Sequence, residues 1–445
     1  RQAIAALEQI AEEEELEVAV YHEIDAYPLD GAYAFMKVLE ARYGWVTAVP
    51  TPGFFGNTPP TLVTLPISTS ESVQIPWGNM ALPGISGTLK TGTCTLRGQV
   101  CFCIRGTVKK KHEREVAELA KAVEVYVREN SVYRGKAFRV TTVADGSFDQ
   151  NTPPAFMDLT IVKPEELVFS QAVRNEINAS VWVPIMHTEA CRMHQIPLKR
   201  GVLLEGPFGT GKTQTASVTA LRCVQNGWTF VYLDTVSGLD AALQFARRYA
   251  PAVVFAEDID RVLDGKDGRS TKVDDILNTI DGIESKGTEI ITILTSNAAE
   301  KIERAMMRPG RLDAVIHIGP PDAEAAEQLL RLYGRGLINQ QADLSTVAAA
   351  LAGHIPATIR EVVERAKLYA IGESGGAGLV LTPESLLGAY HGMQRHLELL
   401  NFRVDGGNST VEHQLGSAMV NVVKASFNGN TERLERVENL LNNLA

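Results

Sequence analysis

The chain has 445 residues, 45% apolar and 22% charged, with a formal net charge of −10 and a pI near 5.5. That length predicts about two to four domains, and the acidic balance speaks against sequence-independent grip on nucleic acid, which needs a basic surface. No apolar run approaches the roughly 18 residues of a membrane span, no secretory signal is visible, and five sparse cysteines form no disulfide framework. A soluble protein of a reducing, cytoplasmic compartment is expected. The first residue is Arg1 rather than Met, which leaves a targeting segment upstream open.

Residues 1–150 read as an α+β unit that selects a substrate or partner. "IAALEQIAEEEELEVAV" has helical periodicity, with Glu12 to Glu15 on a solvated face. "DGAYAFMKVLEARYG" predicts a helix capped by Asp30, ended by Gly44 and striped by Phe35, Val38 and Leu39. Residues 46–90 are rich in Pro, Gly, Thr and Ser and predict loops with short strands. "GTLKTG" and "GQVCFCIRGTV" alternate like antiparallel strands. That alternation places Cys101 and Cys103 on one face, near Cys94, as small buried apolar groups rather than metal ligands. Lys109 to Lys111 read as solvated charges before an amphipathic helix with Val116, Leu119, Val123 and Val127 on one side. "KAFRVTTV" is expected to close the unit as a strand, and 151–164 to be a linker.

Beyond about residue 160 the texture changes to strand, turn and helix in repetition, which predicts a parallel sheet. "GVLLEGPFGTGKT" joins a buried strand to Gly206-Pro207-Phe208-Gly209-Thr210-Gly211-Lys212-Thr213 and then to a helix. Glycines there let backbone N–H groups turn inward around phosphates, and the helix N-terminus adds its positive dipole end. Lys212 would reach the β- and γ-phosphates, and the Thr213 hydroxyl would hold Mg²⁺. Some 45 residues downstream, "AVVFAEDID" ends an apolar strand in Glu257 and Asp258. One acid should hold the metal's water shell and the other should orient and deprotonate the attacking water. A third strand, "EIITILTSN", ends in Asn297, whose amide is placed to position that water. "AMMRPGRLD" carries Arg308 and Arg311, guanidinium groups suited to charge developing on a transferring phosphoryl group.

"GPFGTGKT", "EDID", "ILNTIDGIE", "TSN" and "AMMRPGRLD" stand in the order and spacing of the AAA ATPases of the AAA+ superfamily, and residues 160–395 resemble them. The resemblance implies an α/β P-loop NTPase domain with a parallel sheet and a helical lid. It also implies a ring, usually a hexamer, with ATP at the subunit interfaces. Lys212 and Thr213 fall on Walker A positions, Glu257 and Asp258 on Walker B, Asn297 on sensor 1, Arg308 and Arg311 on the arginine fingers. Arg360 lies near the sensor 2 position of some relatives. The acids stand in the reverse of the family's usual Asp-Glu order. By alignment Glu257 takes the metal position and Asp258 the catalytic one, with exchanged roles as the alternative.

A second departure is the segment "DTVSGLDAALQFARRYAPA", shorter than usual by roughly ten residues and lacking the aromatic pore loop of threading machines. Both departures resemble the AAA branch similar to the mitochondrial Rieske-protein translocase, and they leave threading in doubt. Trp228 and Tyr232 are expected to pack in the core.

The expected organisation is therefore an N-terminal domain (1–150), a linker (151–164), a large ATPase domain (165–319), a helical lid (320–398) and a helical tail (399–445). The leading expectation is a ring-forming ATPase, with ATP and Mg²⁺ as cofactors, that remodels or moves a protein client. The alternatives are a nucleic-acid motor or loader and an ATP-gated assembly clamp with slow turnover. A protease is not expected, since no "HExxH" occurs and no Ser/His/Asp arrangement can be assigned.

Overall fold

The computed structural model describes residues 11–44, 47–53, 56–96, 98–141, 153–259, 288–297, 312–375 and 378–404. The start of the first helical stretch (residues 4–10), "ILNTIDGIE", the loop with Arg308 and Arg311, and the tail beyond residue 404 lie outside them.

Antiparallel strands β1 (Glu17–Ile24), β2 (Thr47–Ala48), β3 (Asn79–Ala81), β4 (Gly87–Leu96) and β5 (Gln99–Lys109) form a five-stranded sheet in the order β1-β5-β4-β3-β2. Two hairpins, Thr51–Gly53 with Gly56–Thr58 and Thr61–Pro66 with Ser72–Trp77, fill the predicted loop-rich stretch. Helices α1 (Pro28–Tyr43) and α2 (Glu113–Asn130) pack against each other and against this sheet. Their predicted stripes face the core: Phe35 and Leu39 on α1 are buried and Val38 is half-buried, and Val116, Leu119, Val123 and Val127 on α2 are buried. Gly44 ends α1 in the left-handed conformation at φ 76°, as its position suggested. Lys110 and Lys111 form exposed ion pairs with Glu13 and Glu15, so two of the lysines and part of the acidic run face each other in solvent.

The second sheet has seven strands: β6 (Ala137–Arg139), β7 (Ala155–Phe156), β8 (Arg200–Glu205), β9 (Thr229–Leu233), β10 (Ala252–Ala256), β11 (Ile290–Ser296) and β12 (Ala314–His317). Their order is β7-β6-β9-β10-β11-β8-β12, and all neighbours are parallel except the edge pair β6–β7. Non-consecutive neighbours require crossovers, which helices α3 (Lys212–Gln225) and α4 (Leu239–Arg248) supply after β8 and β9. Strand β6, expected to close the N-terminal unit, instead adds to this sheet beside β9. Strand β7, inside the expected linker, adds the outer edge. Both corrections have one cause. A three-residue strand has too few side chains to choose its sheet by pattern, so backbone pairing decides.

Period-two alternation then sorts the parallel strands. Phe230, Tyr232, Val253, Phe255, Ile291 and Ile293 share a core with α3 residues Ala216, Ala220 and Cys223, and Trp228 is fully buried there. Val231, Leu233, Val254, Ala256 and Leu294 point the other way, into one continuous core with Phe35, Phe102, Tyr133, Phe245 and Tyr249. The antiparallel layer is therefore packed onto one face of the parallel sheet.

Polar struts cross the same contact. Asp30 is fully buried. It accepts hydrogen bonds from Ser131 Oγ at 2.7 Å, Val132 N at 2.9 Å and Tyr249 Oη at 3.0 Å. It does not cap α1 as the sequence suggested. Pro28 starts the helix one turn earlier behind Tyr27, which leaves Asp30 facing inward to those three donors. Arg134 donates to the carbonyls of Arg248 and Ala250 at 2.9 and 2.8 Å, satisfying acceptors at the C-terminal end of α4. Arg248 reaches back to Asp25 at 2.9 Å and to the Val100 carbonyl at 2.8 Å.

A second compact unit comprises, among the described residues, 329–351, 358–375 and 378–404. Helices Ser345–Leu351, Pro356–Ser374 and Pro383–Val404 bury Val347, Leu351, Val362, Val363, Leu386 and Ala389.

Burial raises the Asp30 pKa above its ordinary 3.8, against the lowering effect of its three donors. The folded chain thus binds this proton more tightly than the unfolded one, so Asp30's contribution to stability falls as pH rises from about 4 through its raised value. Asp30→Asn is expected to remove that fall, read as the difference between two pH–stability curves. Asp30→Ala strands three donors and is expected to cost about 2–4 kcal/mol, seen as a lower denaturation midpoint.

Candidate functional site

The C-terminal ends of β8, β10 and β11 lie side by side, because β8 pairs with β11 from Arg200↔Ile291 to Glu205↔Ser296 and β10 pairs with β11 up to Ala256↔Leu294. Side chains that follow these strands converge, which is where open parallel sheets bind ligands. Three of the motifs read from the sequence end there.

The glycine loop runs from Gly206 to Gly211 and delivers the chain into α3. Gly206, Gly209 and Gly211 have φ of 147°, 79° and 104°, conformations that side-chain-bearing residues rarely take. At Gly206 space is also absent, since a Cβ would lie 2.2 Å from the Ile318 carbonyl oxygen. Thr210 Oγ1 donates to the Pro207 carbonyl at 2.9 Å and braces the turn, while Pro207, Phe208 and Gly209 are exposed. Lys212 is buried and donates to the carbonyls of Gly206 and Pro207 at 2.6 and 2.8 Å. Thr213 is exposed on the first turn of α3, whose N-terminus carries no side-chain cap. Uncapped backbone donors and a lysine at one helix end make a site for phosphate.

Across from them, β10 ends in Glu257 and Asp258. The backbone is pinned by Glu257 N to the Leu233 carbonyl at 3.2 Å, Asp258 N to Thr295 Oγ1 at 3.0 Å, and Ile259 N to the Thr295 carbonyl at 2.9 Å. Asp258 takes φ 53°, a left-handed conformation in which Asp and Asn are the most tolerated non-glycine residues. Asn297, one residue past β11, donates its Nδ2–H to Asp258 Oδ1 at 2.9 Å. Glu257 Oε1 is buried with no hydrogen-bond partner among the described residues. An orphaned buried carboxylate oxygen is costly alone and suited to a cation. Burial, then the Glu257 carboxylate, push the Tyr232 hydroxyl far above its ordinary pKa, which keeps it protonated beside that acid. The residues present therefore fit a nucleotide phosphate chain on the glycine loop and a divalent cation near Glu257 and Thr213.

Sequence reasoning missed the wall beside the loop. A cavity of about 230 Å³ touches Thr210 and is lined by Val168, Phe169, His317, Gly319 and Pro356 among others. Phe169 lies so near the loop that a Cβ on Gly211 would meet its ring at 3.4 Å. No motif marks Phe169, and only tertiary packing brings it there. Arg360 lies in the second unit, exposed, with its guanidinium 4.8 Å from the Tyr333 ring centroid. A larger cavity, about 560 Å³, lies elsewhere, between α4 and the N-terminal layer. It is the larger of the two, but it holds none of the loop's phosphate-directed donors.

Residues 202–320 match the family described as "ATPase family associated with various cellular activities (AAA)". The chain carries an AAA ATPase domain. It is 30% identical over 216 residues to the 26S proteasome regulatory subunit 8 homolog of Schizosaccharomyces pombe, covering 44% of this chain and 53% of that one. It is 29% identical over 214 residues to the proteasome-activating nucleotidase of Methanosphaerula palustris, covering 44% and 52%. Against the ATP-dependent zinc metalloprotease FtsH of Lactococcus lactis it is 30% identical over 193 residues, covering 38% and 27%. The chain thus spans about half the length of the proteasomal relatives and about a quarter of FtsH. The AAA fold class, an α/β domain on a mostly parallel sheet, is that expected from the motifs.

Gly206→Ala tests the loop directly. The clash with Ile318 and the forbidden φ are expected to cost on the order of 2 kcal/mol and to abolish binding of a fluorescent ATP analogue, measured by titration alongside a thermal melt.

Proposed function

We propose that this chain is a Mg²⁺-dependent ATPase that assembles into a ring, a hexamer as the AAA resemblance implies, and uses hydrolysis to remodel or move a protein client. The observation that carries the hydrolytic reading is the 2.9 Å hydrogen bond from Asn297 to Asp258, beside a glycine loop and Lys212. It supports giving the two acids different tasks despite their reversed order. Asp258, held by Asn297, is the general base, and Glu257, with its orphaned oxygen, faces the cation.

In this reading the loop N–H groups and the α3 N-terminus bind the phosphate chain, and Lys212 exchanges its two carbonyl partners for β- and γ-phosphate oxygens. When bound, Mg²⁺ neutralises charge on those oxygens, and Thr213 and Glu257 are the residues that would hold it. Asn297 fixes the Asp258 carboxylate so that it takes a proton from water as the water oxygen bonds to the γ-phosphorus. The bond to the β–γ bridging oxygen breaks and ADP leaves. Arg308 and Arg311 are proposed to reach this γ-phosphate from a neighbouring subunit. Phe169 and its neighbours would take the base, and Arg360 is kept as the sensor 2 candidate that the resemblance implies. The names of the relatives, a proteasome regulatory subunit, a proteasome-activating nucleotidase and a protease, support a protein client. Residues 1–150 are proposed to select it, in the cytoplasm. Among the described residues no helix is long and apolar enough to cross a membrane.

Asp258→Asn is the variant of choice, because Asn also tolerates the left-handed backbone there. It is expected to keep Mg²⁺-ATP binding while phosphate release slows at least ~100-fold, whereas Lys212→Ala loses binding. Wild-type protein that binds ATP but releases no phosphate would overturn the hydrolytic reading. Purified with ATP, Asp258→Asn should retain a recurring protein that Lys212→Ala does not. Nuclease-sensitive 260 nm absorbance without such a protein would move the client to nucleic acid.

A further inference from the structure

The hairpin β4–β5 carries a thiol pair that the ATPase site does not use. Cys94 and Cys101 are directly opposite each other in the antiparallel register, three residue pairs from the turn that closes at Leu96↔Gln99. Their sulfurs are 2.9 Å apart. Directly opposed residues of an antiparallel pair have Cα atoms about 4.5–5.5 Å apart, inside the roughly 4.4–6.8 Å that a disulfide spans. Neither the backbone nor the register has to change for a bond to form. Cys103 lies on the same face, two residues along β5, opposite Gly92. All three are free thiols in this structure.

The pair is asymmetric in a way that suits sequential chemistry. Cys94 is partly exposed, whereas Cys101 and Cys103 are buried. Burial first, and the hydrogen bond with Cys94 second, hold the Cys101 thiol up at about 12. Cys103 is held at about 11, by burial first and then by the charge of Cys94. Those two therefore stay protonated and shielded, and an oxidant from solvent meets Cys94 first. The arrangement does not read as a metal centre, since among the described residues no group of three or more His, Cys, Asp or Glu side chains could hold an ion.

We propose that Cys94 and Cys101 form a modification site, a cross-strand disulfide made reversibly by a hydroperoxide oxidant and undone by a dithiol reductant. Cys94 sulfur attacks the peroxide oxygen; the O–O bond breaks, water or an alcohol leaves, and Cys94 becomes a sulfenic acid. Cys101 sulfur then attacks Cys94 sulfur, the S–O bond breaks, and a second water leaves with the Cys101 proton. Two thiols are oxidised by two electrons and one peroxide is reduced. The backbone next to this bond is also a contact of the ATPase layer, because the Val100 carbonyl accepts the Arg248 guanidinium at 2.8 Å.

Trypsin provides a clean reading, since cleavage after Arg97 separates Cys94 (peptide 91–97) from Cys101 and Cys103 (peptide 98–105). Native full-length protein would be treated with a small excess of hydrogen peroxide, alkylated, digested without reductant and analysed by mass spectrometry. The two peptides are expected to appear joined, with alkylation confined to Cys103, and to separate after dithiothreitol. Cys103→Ser should leave the joined pair intact, and Cys101→Ser should abolish it and leave Cys94 as a trappable sulfenic acid. The proposal is overturned if both Cys94 and Cys101 remain alkylated, if Cys94 proceeds to sulfinic acid with Cys101 free, or if the joined pair persists in Cys101→Ser through Cys103. A thermal melt of each variant before oxidation confirms that folded protein was tested.

Discussion

Everything in the candidate site depends on the register of three parallel strands. With Ala256 opposite Leu294 and Glu205 opposite Ser296, the residues just past each strand end fall on one edge of the sheet. A slip of one residue would turn the alternating side chains of β11 to the opposite faces and take Asn297 away from Asp258. The register is secured from both sides, since Val254, Leu294 and Ala256 are buried in one core while Val253, Phe255, Ile291 and Ile293 are buried in the other. Thr295 adds a local lock by accepting from two successive backbone N–H groups, Asp258 through its hydroxyl and Ile259 through its carbonyl. That lock holds Asp258 in its left-handed conformation, a strain that the surrounding bonds sustain.

Much of this was legible in the sequence because the relevant signals are local. The glycine loop announces itself by residue type at fixed spacing, and the structure explains each glycine by φ or by the approach of Ile318. The ends of β10 and β11 are legible because buried parallel strands are continuous apolar runs followed by polar residues. The stripes of α1 and α2 follow the helical period. What the sequence did not reveal is long-range. The destination of β6, the inward turn of Asp30, Phe169 beside Gly211 and the opposition of Cys94 to Cys101 all depend on partners between 7 and 219 residues away in the chain. Nothing in a residue's immediate neighbours encodes such a partner.

The reversed order of the two acids illustrates the same division. Chain order alone allowed either residue to be the base. The proposed assignment rests on tertiary geometry, because Asn297 meets Asp258 while one oxygen of Glu257 has no partner among the described residues. The shorter side chain is the one that is held, and the longer one is the one left to reach. An Asp base one methylene shorter than Glu needs a fixed position more than a long reach, and the amide at 2.9 Å together with the pinned backbone supplies it.

The packing of α4 constrains how the N-terminal layer can respond to nucleotide. This helix follows β9 after a connection of only five residues, 234–238, and buries Phe245 and Ala246 in the core shared with the N-terminal layer. Tyr249 at its end donates to buried Asp30, Arg134 satisfies its terminal carbonyls, and Arg248 returns to Asp25 and Val100. Parting the layer from the sheet would expose that core at about 25 cal/mol per Å² of apolar surface, take the Tyr249 donor from Asp30 and separate Arg248 from Asp25 and the Val100 carbonyl, each a loss of about 1–3 kcal/mol. A layer fixed this way moves with the β9–α4–β10 segment rather than against it. Since Glu257 and Asp258 follow directly on β10, the N-terminal layer is packed onto the same compact unit that carries the two acids.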